Sequence, residues 1–184
     1  MFITRAVTVL VVTVLVPIFA VRAADGLTVR SFVNENVGNV SLVTPSDWEP
    51  LERHHISFGT TFYRMLPPKQ GEFELEILVN DLKHMKMSAL VDTDLEIYIE
   101  NNMAAAAPQS VEGKVKAVRF GVQNDGVYAR LTDKAPKPGE FVLFTQGVRL
   151  QRDRVVLFTL YSNDRDASIL KQTLGIVESV KFEQ

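Results

Sequence analysis

The chain has 184 residues, of which 22 are acidic and 20 are lysine or arginine, so its formal net charge at pH 7 is −2. This mildly acidic balance offers no basic face for nucleic acid, and we expect no partner of that class. The absence of cysteine excludes disulfides, thiolate catalysis, zinc–cysteine sites and a lipoprotein anchor.

The first 23 residues have the three parts of a secretory signal peptide. Arg5 precedes an apolar run over 6–21, and the short stretch that ends at Ala23 has the small side chains of a cleavage site. We predict cleavage after Ala23 or the next residue, which leaves 24–184 as one domain, periplasmic or secreted by a bacterium. An uncleaved membrane anchor is disfavoured because a charged residue ends the run after 16 positions, fewer than the roughly 20 that a spanning helix needs.

Strands and turns follow in the first half of the remaining chain. Residues 37–44, 56–66 and 73–77 alternate between apolar and polar, which is typical of strands with one buried face. The turn at 67–71, with two prolines and a glycine, predicts a hairpin between the second and third strands. Trp48 follows the first strand, and we interpret it as a plug over the edge of the core, with a ligand platform as the alternative.

A helix is predicted from Thr93 to Pro108. Thr93 and Glu96 form a capping box at its start, and the proline ends it. Side chains at helical spacing form one stripe, which is expected to face the core. The stripe consists of Leu95, Tyr98, Ile99, Asn102, Met103 and Ala106.

Two further hairpins and a helix are predicted in the second half. The hairpins join strand 115–122 to 127–132 around a Gly-containing turn, and strand 140–150 to 154–161 around Arg152-Asp153. The strand 154–161 barely alternates, so we expect both of its faces to be covered.

The last helix is predicted to begin near Asp164 or Asp166, with a short edge strand over 179–182 after it. Its apolar side consists of Ile169, Leu170, Leu174 and Val177. Antiparallel strands separated by helices indicate an α+β fold, and the doubly covered strand favours a sheet between helices.

Two stretches resemble a known family. The stretch Leu42-Val43-Thr44-Pro45-Ser46-Asp47-Trp48 resembles the strand-Pro-x-x-Trp opening of the photosystem II oxygen-evolving-enhancer-like (PsbP-like) superfamily, which is also similar to DcrB-type bacterial envelope proteins and a Ran-binding nuclear import factor. The final helix, followed by Ile176-Val177-Glu178-Ser179-Val180-Lys181-Phe182, resembles the end of family members.

This resemblance implies an antiparallel sheet flanked by helices, an α/β/α sandwich. It also implies a binding, assembly or chaperone-like role and no enzymatic activity. No ligand motif of the photosystem members has a counterpart in this sequence. DcrB-type members are often lipoproteins, and the missing cysteine departs from that branch.

Three histidines are the candidates for metal binding. His54 and His55 are adjacent on a predicted strand, so their side chains point to opposite faces and do not converge on one metal. His84 has no histidine at helical spacing, and no His-Glu-x-x-His pattern occurs. We interpret all three as surface or loop residues and predict no metal and no other cofactor.

Glu74 and Glu76 share one strand face, and a carboxylate pair can hydrolyse glycosides. That reaction needs two carboxyl groups that converge across a cleft, so we interpret these glutamates as a solvated edge. The sequence contains no Gly-x-Ser-x-Gly elbow and no phosphate-binding loop. We therefore predict no catalytic residue.

The connector 82–90 is the predicted contact site for a partner. It interleaves Met85 and Met87 with Lys83 and Lys86. Methionine adapts to varied surfaces, and lysine can orient an acidic partner. The alternative is that both methionines pack into the core under the helix.

The leading hypothesis is an exported, non-catalytic binding or accessory protein that docks on another envelope protein and has no membrane anchor after signal cleavage. The alternatives are a periplasmic carrier of a small apolar ligand and an envelope hydrolase with a site assembled from scattered residues. A deep apolar pocket would favour the carrier, convergent titratable groups would favour the hydrolase, and a filled core with a surface patch would favour partner binding.

Overall fold

A computed structural model describes residues 26–34, 36–56, 60–69, 71–84, 94–163 and 167–183, and the predicted signal peptide lies outside these ranges. The strands are β1 Leu27–Asn34, β2 Gly38–Pro45, β3 Glu49–Ile56, β4 Thr60–Leu66, β5 Phe73–Asp81, β6 Val118–Phe120, β7 Gly126–Thr132, β8 Leu143–Gln151, β9 Arg154–Ser162 and β10 Lys181–Glu183. The helices are α1 Leu95–Met103, α2 Ser168–Ser179 and a 3-10 helix at Ala107–Gln109.

The strands form two sheets in which all neighbours are antiparallel. The large sheet has the order β3-β4-β5-β9-β8-β7-β6, and the small sheet has the order β1-β2-β10. One face of the large sheet packs against α2 and the small sheet, and α1 packs on the opposite face. The chain therefore has the predicted α+β architecture, a sheet between helical layers, with the small sheet as an addition to one layer.

The larger core lies between β5 and β9 on one side and α2 with the small sheet on the other. Phe73, Leu75, Ile77 and Val79 alternate along β5 and are buried there. The neighbouring buried side chains of β9 point into the same core. Val155, also on β9, points to the other face and belongs to the core beneath α1. The expectation that β9 is covered on both faces is therefore confirmed over part of its length.

The helix α1 is shorter than predicted. Its N-cap is Asp94, whose carboxylate accepts the backbone N–H of Glu96 at 2.9 Å, so the prediction of Thr93 as the cap is wrong. The helix ends at Met103, and Pro108 lies instead in the 3-10 helix. Proline has no N–H to donate to the carbonyl four residues earlier, and the Ala104 carbonyl instead accepts the backbone N–H of Ala107 at 3.3 Å. Three of the six stripe residues, Leu95, Ile99 and Met103, are buried as predicted. Tyr98 and Ala106 are half-buried, and Asn102 is exposed, so the prediction that it faces the core is wrong.

Two strands were not predicted from the sequence, namely β1 and β3, the strand that follows the first turn. β1 carries polar residues on its inward side: the buried Asn34 amide donates to the Val79 carbonyl at 3.1 Å, and Arg30 donates to Thr44 Oγ1 at 2.9 Å. The predicted strand 56–66 corresponds to β4, which begins later, at Thr60, and Ile56 is the last residue of β3.

The predicted hairpins and the predicted final strand are present. Pairing of β4 with β5, β6 with β7 and β8 with β9 confirms the three hairpins, and β10 pairs with β2.

The last helix begins at Ser168, and its N-cap is Ala167 in the left-handed region with φ 61°. Asp164 and Asp166, which were predicted to start it, lie outside the described residues.

Candidate functional site

The helix α1 covers only part of its face of the large sheet. It packs on β7 and β8, and within the described ranges no element covers the neighbouring part of β4, β5 and β9 on this face. The strand register places eight side chains there, all partly exposed. They are Phe62, Arg64, Glu74, Glu76, Phe144, Gln146, Thr159 and Tyr161. We call these eight residues the open platform.

Charged groups occupy the centre of the open platform. Arg64 lies opposite Glu76 across the β4–β5 pair and forms an ion pair with Glu74. Glu76 lies opposite Thr159 on β9. Because the platform has two carboxylates and one guanidinium, its charge is negative.

Tyr161 joins this charged centre to a row of aromatic rings. Its ring lies 6.1 Å from that of Phe141 and 5.3 Å from that of Phe144, measured between centroids, and each pair is stacked at 28°. Burial raises the pKa of Tyr161 above its ordinary value, and the negative charges of Glu76 and Glu74 add to the effect. Like any tyrosine, Tyr161 is protonated at neutral pH, and the raised pKa keeps it so at higher pH; its hydroxyl offers a hydrogen-bond donor beside an aromatic surface.

Two depressions adjoin the open platform. An open cleft of about 740 Å³ lies between Tyr161 and the loop that carries Lys134, Lys137 and Glu140. A groove of about 140 Å³ separates the platform from α1. Its apolar lining includes Phe62, Leu78, Ile99 and Leu157, and its polar lining includes Glu76, Tyr98, Asn102, Gln146 and Thr159.

The predicted histidine candidates do not form a site in the part of the chain that the structure describes. His54 and His55 are consecutive on β3 and pair with Phe62 and Thr61, but their side chains lie outside the description. His84 is exposed. No group of three histidine, aspartate or glutamate side chains within the described ranges could hold a metal ion, and the expectation that the chain binds no metal stays a prediction.

The interpretation of Glu74 and Glu76 as a solvated edge is wrong. β5 lies between β4 and β9 near the middle of the large sheet, and both glutamates are half-buried. The pairing of β5 with β9, which surrounds them, joins segments that are far apart in the chain, so no local pattern indicates it. The open platform thus brings together these glutamates with aromatic residues that the sequence analysis did not consider.

Trp48 has the structural role that was predicted. It is 4% exposed, and its ring lies 4.3 Å from that of Phe73.

The predicted contact residues of the connector are described only in part. Lys83 is exposed, and its backbone N–H donates to the Asp81 carboxylate at 2.8 Å. Met85, Lys86 and Met87 lie outside the described residues, so their contact role stays a prediction. None of the described helices is long and apolar enough to cross a membrane.

Comparisons with known proteins identify the fold. No family model and no curated protein matches the chain. The solution structure of cyanobacterial PsbP (CyanoP) from Synechocystis sp. PCC 6803 superposes with a TM-score of 0.50 and 13% identity, over 92% of this chain and 99% of that one. A crystal structure from Bacteroides thetaiotaomicron VPI-5482 superposes with a TM-score of 0.45 and 11% identity, over 84% of this chain and 48% of that one. The first of these shows that the chain has the PsbP-like fold that the sequence resemblance implied.

Proposed function

We propose that this PsbP-like chain is an exported, non-catalytic binding or accessory protein of the bacterial envelope, and that the open platform contacts its protein partner. The observation that carries the proposal is that the described elements cover one face of the large sheet only in part. In the described part of the chain, α2 and the small sheet cover one face of the large sheet. On the face that carries α1, charged and aromatic side chains of β4, β5, β8 and β9 stay partly exposed.

The chemistry of the open platform suits a protein surface. Tyrosine and arginine are enriched where proteins bind one another, because they combine apolar area with hydrogen bonding. The excess carboxylate charge favours a partner whose contact surface is basic and partly apolar. Tyr161 lies between the charged centre and the aromatic row. Its side chain can therefore contact both the basic and the apolar parts of the partner surface.

The two alternative functions have weaker support. A carrier needs an apolar cavity of roughly 300–1,000 Å³, but the groove beside α1 has a volume of about 140 Å³ and the larger cleft has a charged lining. A glycoside hydrolase needs carboxyl groups on opposite sides of a substrate. Glu74 and Glu76 instead lie on one strand face, and Glu74 is paired with Arg64.

Capture from the soluble envelope fraction tests the proposed function. Three forms of the exported protein, which is expected to begin at Ala24 or Asp25, would be immobilised separately. They are the wild type, the Glu76→Lys variant and the Glu178→Lys variant. Both substitutions change the net charge equally, but Glu178 is an exposed residue of α2 on the other side of the large sheet. We expect Glu76→Lys to recover the partner at least about tenfold less than wild type, because reversal of the charge opposes a basic surface.

Quantitative mass spectrometry of the recovered proteins gives the readout. Glu178→Lys should recover the partner as wild type does. Equal recovery by Glu76→Lys and wild type would contradict the placement of the contact on the open platform. A wild-type sample with no protein enriched over uncoupled beads would contradict the binding function itself.

A further inference from the structure

The groove between α1 and the open platform has the size of one side chain. Its volume of about 140 Å³ is several times the roughly 30 Å³ that one water molecule occupies in the liquid. It is well below the roughly 300–1,000 Å³ of sites that enclose a drug-sized molecule. The groove therefore fits a single side chain of a larger partner better than a whole small-molecule ligand.

The lining of the groove combines an apolar part with a polar part. Leu78 and Ile99 are buried, and Phe62 and Leu157 are half-buried beside them. Long cationic side chains place their aliphatic stem against such a surface and keep their charged head among polar groups or in water. The apolar part of the lining thus suits the stem of a lysine or an arginine.

The polar part of the lining is without partners in the portion of the chain that the structure describes. Five polar side chains line the groove, and none of them takes part in a hydrogen bond or an ion pair there. They are Glu76, Tyr98, Asn102, Gln146 and Thr159. Arg64 lies across from Glu76 in the sheet, but its guanidinium pairs with Glu74. Glu76 therefore brings an uncompensated negative charge to the groove.

These polar groups match an arginine better than a lysine. Each of the five side chains carries an oxygen that can accept a hydrogen bond, and a guanidinium has five N–H donors where an ammonium has three. A guanidinium is also planar, packs on aromatic rings and is less strongly hydrated than an ammonium. Phe62 and Tyr98 supply aromatic rings, and the lining contains no lysine or arginine that would repel an incoming cation.

We infer that the groove beside α1 binds one arginine side chain of the partner, with its stem on the apolar lining and its guanidinium at Glu76. The inference rests on the proposed function, because Phe62, Glu76, Gln146 and Thr159 belong both to the groove and to the open platform. Arginine is among the residues that contribute most to binding at protein interfaces. One seated arginine would anchor the basic surface that the platform attracts.

An NMR titration with three blocked tripeptides tests this specificity without any envelope protein. The probes are acetyl-Gly-Arg-Gly-amide, its lysine analogue and its citrulline analogue, which keeps the shape of arginine and lacks the charge. We expect the arginine peptide to shift the side-chain amide signals of Asn102 and Gln146 saturably. The lysine peptide should bind at least about threefold more weakly, and the citrulline peptide at least about tenfold more weakly, because it loses the charge-assisted hydrogen bonds to Glu76.

Two variants locate the binding on the protein. Glu76→Gln keeps the shape of the side chain and removes its charge, so it should bind the arginine peptide at least about tenfold more weakly than wild type. Glu178→Gln makes the same change at an exposed position of α2, on the other side of the large sheet, and should bind as wild type does. Both variants should melt at the wild-type temperature.

Three results would each overturn the inference. They are the absence of saturable shifts up to about 10 mM arginine peptide, equal affinity for the arginine and lysine peptides, and equal affinity of Glu76→Gln and Glu178→Gln. In any of these cases, a partner that wild type captures and Glu76→Lys does not would still support the open platform as the contact surface. Failure of the arginine groove is thereby distinguishable from failure of the proposed function.

Discussion

Ile99→Ala should lower the free energy of unfolding by about 2–5 kcal/mol, because it leaves a cavity in a core that cannot close around it. Ile99 is 2% exposed and belongs to the cluster that α1 forms with β7 and β8. Urea denaturation should show a lower midpoint with an unchanged slope.

The same helix provides a matched control. Ile97 is two residues earlier and 53% exposed, so Ile97→Ala makes the same chemical change without a cavity. It should alter the free energy of unfolding by less than about 0.5 kcal/mol. Equal losses for Ile97→Ala and Ile99→Ala would mean that α1 presents a different side to the sheet.

Arg149→Leu should destabilise the fold by about 2–4 kcal/mol. Arg149 Nε donates to the Asp125 carboxylate at 2.9 Å, and its Nη1 donates to the carbonyls of Val177 and Glu178 at 3.1 and 2.8 Å. The last carbonyls of a helix lack partners within the helix and carry partial negative charge. Leucine would leave these carbonyls and a carboxylate that is only 20% exposed without their cation.

Thermal unfolding should show this loss as a decrease of roughly 4–16 °C in the melting temperature. Arg119→Leu is the control, because Arg119 contacts two carboxylates, those of Asp94 and Glu96, but is 43% exposed. Exposed ion pairs contribute about 0–1 kcal/mol, so its melting temperature should fall much less. A decrease for Arg119→Leu as large as that for Arg149→Leu would contradict the role of Arg149 at the end of α2.

Local signals account for the parts of the fold that the sequence predicted correctly. Each confirmed hairpin has a short turn with glycine, proline or charged residues between two apolar runs, and such turns fix the strand pairing by themselves. β1 was missed for a physical reason. Its inward side carries Arg30, which donates to a side chain of β2 and to a carbonyl in the turn after β2, and Asn34, which donates to a carbonyl of β5. A polar inward side hides the alternation of a half-buried strand.

The open platform could be predicted from the sequence only in part. The predicted turn at Arg152-Asp153 sets the register of β8 and β9, and that register places Phe144 opposite Tyr161. The position of Glu74 beside Tyr161 depends on the pairing of β5 with β9, which no local signal encodes. The exposed area also depends on the length of α1, and the alanine-rich stretch before Pro108 suggested a longer helix than the one that forms.

Site-specific photo-crosslinking in the envelope would test the platform contact most directly. A photoreactive phenylalanine derivative would replace Tyr161 in one strain, Val122 in a second and Glu178 in a third; all three positions are exposed in the wild type. We expect position 161 to give an adduct with one envelope protein, which Glu76→Lys in the same chain should abolish. Positions 122 and 178 should not give this adduct. The same adduct from position 122 or 178, with none from 161, would contradict the open platform as the binding surface.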